Sequence, residues 1–168
     1  VCIRLIVKQL AFLILLDYYY IVIATKHKQI MSYQELKNTS RKLLINMVGM
    51  LQPNVSHHIG PSTGILDLLS YLYFDFLNVY PKNPEHKKRD RFILSKGHAG
   101  AALFATLAEK GFFPKSKLKL YDKDGGLLPE HVSRVVPGVE LATGSLGHGL
   151  PVGLGMAIAA KNDGLDQK

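Results

Sequence analysis

A single short run of β-type residues, Arg91-Phe92-Ile93-Leu94-Ser95, stands among helical patterns and limits what the chain can fold into. One strand cannot make a sheet, because its backbone N–H and C=O groups need a neighbouring strand to pair with. An α/β domain with only this strand is unfinished, and the next strand is expected beyond Lys168. The run leads straight into Lys96-Gly97-His98-Ala99-Gly100 and then a small-residue helix from Ala101 to Lys110, closed by Gly111. The turn between a strand and the helix after it is where open α/β sheets bind ligands.

The other helices follow from spacing and caps. Ser32 and Glu35 form an S-x-x-E capping box, and Leu36, Leu43, Leu44, Met47, Val48 and Leu51 recur at helical spacing behind it. Gln52-Pro53-Asn54 ends that helix, and residues 55–64 read as irregular. Ile65, Leu68, Leu69, Leu72, Tyr73 and Phe76 mark a second helix capped by Ser62 or Thr63. Residues 112–137 are rich in loops, and a Gly/Ala helix runs from Val152 to about Lys161.

The capping box also reads as a fresh start. Residues 1–30 are apolar but broken by Lys8 and Asp17, which leaves uncharged runs too short to span a bilayer. No small-x-small cleavage site follows them, as a signal peptide would require. We expect this segment to be a translated leader or extension outside the native fold, with a membrane anchor or an extra packed element as alternatives. The folded unit is then residues 31–168. The leader holds Arg4, Lys8, Lys26 and Lys28 against Asp17, so the net charge of +8 falls to +5 for the 17 basic and 12 acidic residues that follow. The densest basic run, His86-Lys87-Lys88-Arg89, has no interleaved aromatics and reads as a solvated loop, with no nucleic acid as partner. The lone Cys2 excludes a disulfide framework and a cysteine zinc site.

Five of the seven histidines, His57, His58, His98, His131 and His148, lie in irregular segments. Singly, each is more often structural than functional; grouped beside a ligand-binding turn, they point to proton handling near neutral pH. Their spacing matches no zinc motif. Residues 143–149, Thr-Gly-Ser-Leu-Gly-His-Gly, precede a helix and offer close backbone approach and unpaired N–H groups to an anion. The spacing is neither that of a dinucleotide loop nor that of a phosphate loop.

R-D-R-F-I-L-S-K-G-H-A (residues 89–99), P-G-V-E-L-A-T-G-S-L-G-H-G-L (137–150) and S-H-H-I-G (56–60) resemble the amino-terminal part of transketolase. The likeness is greatest to its short, split form, in which two chains supply what one long chain does elsewhere, and it extends from Met31 to about Lys161. The resemblance implies an α/β thiamin diphosphate-binding fold, a parallel sheet flanked by helices, of which only the helix-rich front part is present. It implies transfer of a two-carbon ketol unit between sugar phosphates, with thiamin diphosphate and Mg2+ or another divalent cation as cofactors. His58 falls on a histidine facing the sugar. His98 falls on one reaching the diphosphate, with Lys96 beside it as a second contact. His131 falls on the family's G-H-P histidine near the reacting carbon. Gly144, Ser145 and Leu146 fall on the cofactor loop, and His148 on a polar lining position. The implied partners are a C-terminal transketolase subunit or domain in a homo- or hetero-oligomer, in the cytoplasm and without a membrane.

This sequence departs from the family at several points. His57 replaces a glycine, Pro61 enters a small-residue run, and G-H-P reads Glu130-His131-Val132. The G-D-G motif and asparagine that hold the family's metal are absent before Lys168, as is the pyrimidine-binding domain with its activating glutamate. The isolated chain is therefore expected to bind the cofactor weakly and to be inactive. A deoxyxylulose-phosphate synthase-like enzyme and a non-catalytic remnant or partner-binding scaffold are the alternatives. Exposed apolar faces on the helices at 65–76 and 152–160 are expected to favour aggregation.

Overall fold

The computed structural model describes residues 30–52 and 58–168. Expectations for the leader, for His57 and for Ser56 lie outside them.

The first helix, α1 (Tyr33–Met50), begins where the capping box places it. The Ser32 hydroxyl accepts from the Glu35 N–H at 3.3 Å, and the Glu35 carboxylate accepts from the Ser32 N–H at 2.8 Å. Two short helices follow, α2 (Ile59–Thr63) and α3 (Leu66–Tyr71), and α3 runs on into a wider π-type turn, Leu72–Phe76. A 3-10 turn, Gly97–Ala99, opens α4 (Gly100–Lys110); a second, Lys115–Leu120, precedes a long loop; and α5 (Gly149–Asn162) comes last.

At the centre lies α4. Gly100 to Ala108 are all buried, as a helix apolar on every side must be. Its alanines let α1 and α3 approach closely, and Leu43 and Met47 of α1, Leu69 of α3 and Tyr73 close over Leu103, Phe104 and Leu107. Gly111 ends α4 at φ +95°, and the N–H groups of Gly111 and Phe112 both return to the Leu107 carbonyl.

Two expectations fail locally. Residues 91–95 form no strand, and no strand occurs among the described residues. The segment packs inward at Leu94, but its only backbone partner among the described residues is the Lys168 carbonyl, bonded to the Arg91 N–H at 2.9 Å. Strand propensity is present and a neighbouring strand to pair with is not. The helix predicted from Ile65 begins at Leu66 as α3, with Ile65 rather than Ser62 or Thr63 at its cap, and a separate helix, α2, stands before it where the sequence reads as irregular. Ile59–Thr63 is already helical and His58 is its cap; Ser62 is buried within it, and Thr63 Oγ1 donates back to the Gly60 carbonyl. Pro61 is compatible with this because it stands in the first turn, where its missing N–H is not needed. The last helix begins at Gly149, three residues before Val152, with Pro151 in its first turn.

A buried ion-pair network fixes the loops. Glu140 accepts from Arg89 Nε at 2.7 Å and Nη2 at 3.0 Å, and from Arg91 Nη1 at 2.8 Å. It joins the segment before α4 to the one before α5.

Candidate functional site

Three glycines allow three segments to meet at the turn before α4. A Cβ on Gly97 would lie 1.9 Å from the Thr143 carbonyl oxygen; one on Gly100 would lie 2.7 Å from the Glu130 carbonyl oxygen; one on Gly149 would lie 2.7 Å from Ser95 Cβ. At each place only glycine permits the approach. Hydrogen bonds complete the junction. Thr143 Oγ1 donates to the Leu94 carbonyl at 2.5 Å, the Val132 N–H to the Gly97 carbonyl at 3.3 Å, and the Gly149 N–H to Ser95 Oγ at 3.1 Å. Lys96 Nζ donates to the Pro61 carbonyl at 2.7 Å and ties α2 to the same turn.

The junction gathers His58, His98 and His131, which are far apart in sequence. Ring centroids lie 5.1 Å apart for His58 and His98, 5.6 Å for His58 and His131, and 6.5 Å for His98 and His131. Burial pushes the His98 imidazole below its ordinary range, and the positive charges available to His58, His131 and Lys96 push the same way. His98 is thereby kept neutral, able to give or take a proton.

Beside this cluster lies the loop at 143–149. The space at Gly144 faces His131, whose Cδ2 lies 3.9 Å from where a Cβ would stand. Gly144, Ser145 and Leu146 are exposed, and their N–H groups take no partner among the described residues. Free N–H groups ahead of a helix, next to imidazoles and an ammonium, fit a diphosphate. His148 is exposed at the start of α5 and makes no ring contact with the other three.

Among the described residues no group of three His, Cys, Asp or Glu side chains is arranged to hold a metal. These residues by themselves do not fit a divalent cation. No helix among them is long and apolar enough to cross a membrane. The larger clefts, of about 550 and 520 Å³, lie away from the histidines. The cluster therefore stands on an open face, with His58 and His131 side chains each 44% exposed.

One residue here was not read as functional from the sequence. Glu130 Oε1 lies 3.1 Å from His58 Nδ1, and Oε2 lies 3.8 Å from His131 Nδ1. The only sign of it was an acid standing where the family motif has glycine.

Known proteins resemble this chain in sequence and in fold. A domain family described as "Transketolase, thiamine diphosphate binding domain" matches residues 32–166. The chain is 42% identical over 138 residues to one subunit of an apulose-4-phosphate transketolase from Phocaeicola vulgatus, covering 82% of this chain and 49% of that protein. It is 40% identical over 139 residues to a 6-deoxy-6-sulfo-D-fructose transketolase subunit of Clostridium, covering 82% and 50%. The crystal structure of transketolase from Campylobacter jejuni superposes with a TM-score of 0.73 at 36% identity, over 78% of this chain and 21% of that one. The chain spans about half the length of these two curated relatives.

Proposed function

The chain belongs to the transketolase family, matching its thiamin diphosphate-binding domain, and on that premise we propose that it is the amino-terminal part of a ketol transferase of the split, two-subunit kind, spanning about half of one subunit. The donor, a ketose phosphate, gives up a two-carbon ketol unit and leaves as an aldose two carbons shorter; an acceptor aldose phosphate gains that unit. When bound, thiamin diphosphate supplies the electron sink for breaking and making the carbon–carbon bond.

The chain's own residues hold and orient. Gly144, Ser145 and Leu146 present backbone N–H groups to the diphosphate, and Lys96 adds charge beside them. His98, kept neutral by burial, reaches the same group and moves a proton at the edge of the reaction channel. His58 and His131 hydrogen-bond sugar hydroxyls and orient the substrate, and His148 lines the entrance. The observation that carries this reading is the meeting of His58, His98 and His131 next to a loop with free N–H groups.

The open face supports a second polypeptide, since small-molecule sites normally enclose most of their ligand. So do Leu150, Leu154 and Ile158, which are 78%, 61% and 53% exposed along α5. In this reading the divalent metal is held by residues of the same domain that lie beyond this sequence, the activating glutamate comes from a C-terminal subunit or domain, and residues 31–168 form the amino-terminal transketolase-like unit. Both relatives are named for sugars bearing an anionic group, which supports an anionic sugar as substrate here.

The test is calorimetric titration with thiamin diphosphate and Mg2+, on the chain alone and mixed with polypeptides that supply the metal-ligating remainder of the domain and a C-terminal transketolase subunit. We expect no micromolar binding alone, and binding with ketol transfer to an aldose phosphate in the mixture. Micromolar binding by the isolated chain would overturn the reading that the cofactor needs residues beyond those of this sequence.

A further inference from the structure

The histidine cluster contains a carboxylate that the proposed reaction has not used. Glu130 sits 72 residues from His58 in the chain and meets its ring through Oε1 and Nδ1 at 3.1 Å. A carboxylate only accepts hydrogen bonds, so the shared proton must be on Nδ1 of His58. A neutral imidazole carries one ring proton, and the hydrogen bond at one nitrogen decides the state of the other. With Nδ1–H committed to Glu130, Nε2 of His58 bears a lone pair and is free to accept.

The carboxylate is held there by the backbone. The Glu130 carbonyl oxygen rests on the first residue of α4, where a Cβ on Gly100 would lie only 2.7 Å away, and the Val132 N–H bonds to the Gly97 carbonyl. The side chain is 31% exposed and spans two imidazoles, with Oε2 3.8 Å from His131 Nδ1. Its charge also reaches inward: after burial, it is the next influence pushing the Tyr121 phenol up. The G-H-P motif that this stretch resembles has glycine at this position.

We propose that Glu130 is a positioning residue that fixes His58 as the Nδ1–H tautomer and leaves Nε2 as the acceptor for a sugar hydroxyl. The inference rests on the ketol-transferase reading for the identity of the hydroxyl, but the tautomer itself does not depend on it.

The test is long-range 1H–15N correlation NMR of the 168-residue chain and two variants. At about pH 8.5, two units above the ordinary imidazole value, all rings are read in the neutral form. The unaltered chain is expected to show His58 as Nδ1–H. Glu130→Gln, whose amide oxygen still accepts, keeps that tautomer. Glu130→Ala releases the ring to the Nε2–H form that free imidazoles favour in water. In the assembled enzyme, Glu130→Ala is expected to lower kcat/KM about tenfold and Glu130→Gln less than about twofold, the scale of one partly exposed hydrogen bond to a charged group. His58 as Nε2–H in the unaltered chain, one tautomer common to all three proteins, or Gln behaving like Ala would each refute the assignment. Failure of the calorimetric test while the tautomers behave as expected would count against the reaction and leave the role of Glu130 standing.

Discussion

Replacing Gly97 by alanine tests whether the close approach of two backbones builds the site. The new Cβ would stand 1.9 Å from the Thr143 carbonyl oxygen, 2.6 Å from its carbon and 2.7 Å from Thr143 Oγ1. Ordinary contact begins near 3.4 Å, so Thr143 must retreat by about 1.5 Å. The obstacle is backbone, so no side-chain rotation relieves it. Thr143 is itself buried and bonded to the Leu94 carbonyl, and a retreat of that size breaks the bond. Overpacking costs about 1–3 kcal/mol and the lost hydrogen bond about 1 kcal/mol, giving about 2–4 kcal/mol in all. With a urea slope near 2 kcal/mol/M, the unfolding midpoint falls by about 1–2 M. Gly155→Ala is the matched control, because no atom lies within 4 Å of its would-be Cβ and it sits inside α5. That exchange should stabilise the helix by up to about 1 kcal/mol. Circular dichroism in urea reads both variants. The reasoning is refuted if Gly97→Ala unfolds within about 0.5 kcal/mol of the unaltered chain, or if the two substitutions shift the midpoint alike.

Glu140→Ala leaves Arg89 and Arg91 without their shared buried carboxylate and should cost about 3–5 kcal/mol, lowered somewhat by the partial exposure of Arg91; urea unfolding with Glu140→Gln alongside measures it. Leu43→Ala empties a fully buried position beneath α4 and should cost about 2–5 kcal/mol, read as a lower Tm by calorimetry. Acid should destabilise the chain through His98: its native value lies below the ordinary one, so the unfolded chain takes up the proton first. Stability present above about pH 6.5 is therefore lost as pH falls through that point to the lower native value. Urea midpoints between about pH 8 and pH 5.5 check this, and a slope unchanged in His98→Asn would show that another group is responsible.

What the sequence revealed and what it hid divide along a physical line. The start of α1 was legible because a capping box is a contact between residues three apart, and the end of α4 because Gly111 alone supplies the left-handed turn. His98 and the loop at 144–146 were legible because their motifs are contiguous. Phe92-Ile93-Leu94 misled because strand propensity is local while pairing is not: among the described residues no strand pairs with the segment. Residues 59–63 read as irregular and are helical, and Pro61 is tolerated there because it stands in the first turn of α2, where its missing N–H is not needed. Glu130 was read only as a departure from a motif. Its partner lies 72 residues away, and no pattern of neighbours in sequence announces a contact at that range.

The arrangement of the candidate site explains how loops can hold open side chains in place. Four of its residues are each next in sequence to a buried anchor. His98 lies between Gly97 and Ala99, His131 precedes Val132, Gly144 follows Thr143, and His148 precedes Gly149, with all five anchors buried. Val132, Thr143 and Gly149 all bond or pack onto residues 94–97, and Gly100 opens the most deeply buried helix. The imidazoles and free N–H groups thus inherit their positions from α4, one or two residues removed, while keeping their own surfaces open to ligand. Such preorganisation is worth more at a reacting site than the contacts of the exposed groups themselves. It follows that substitutions at the anchors should disturb both stability and ligand binding. Substitutions at His58 or His131, about half exposed and bonded mainly to each other's surroundings, should disturb binding with little change in stability.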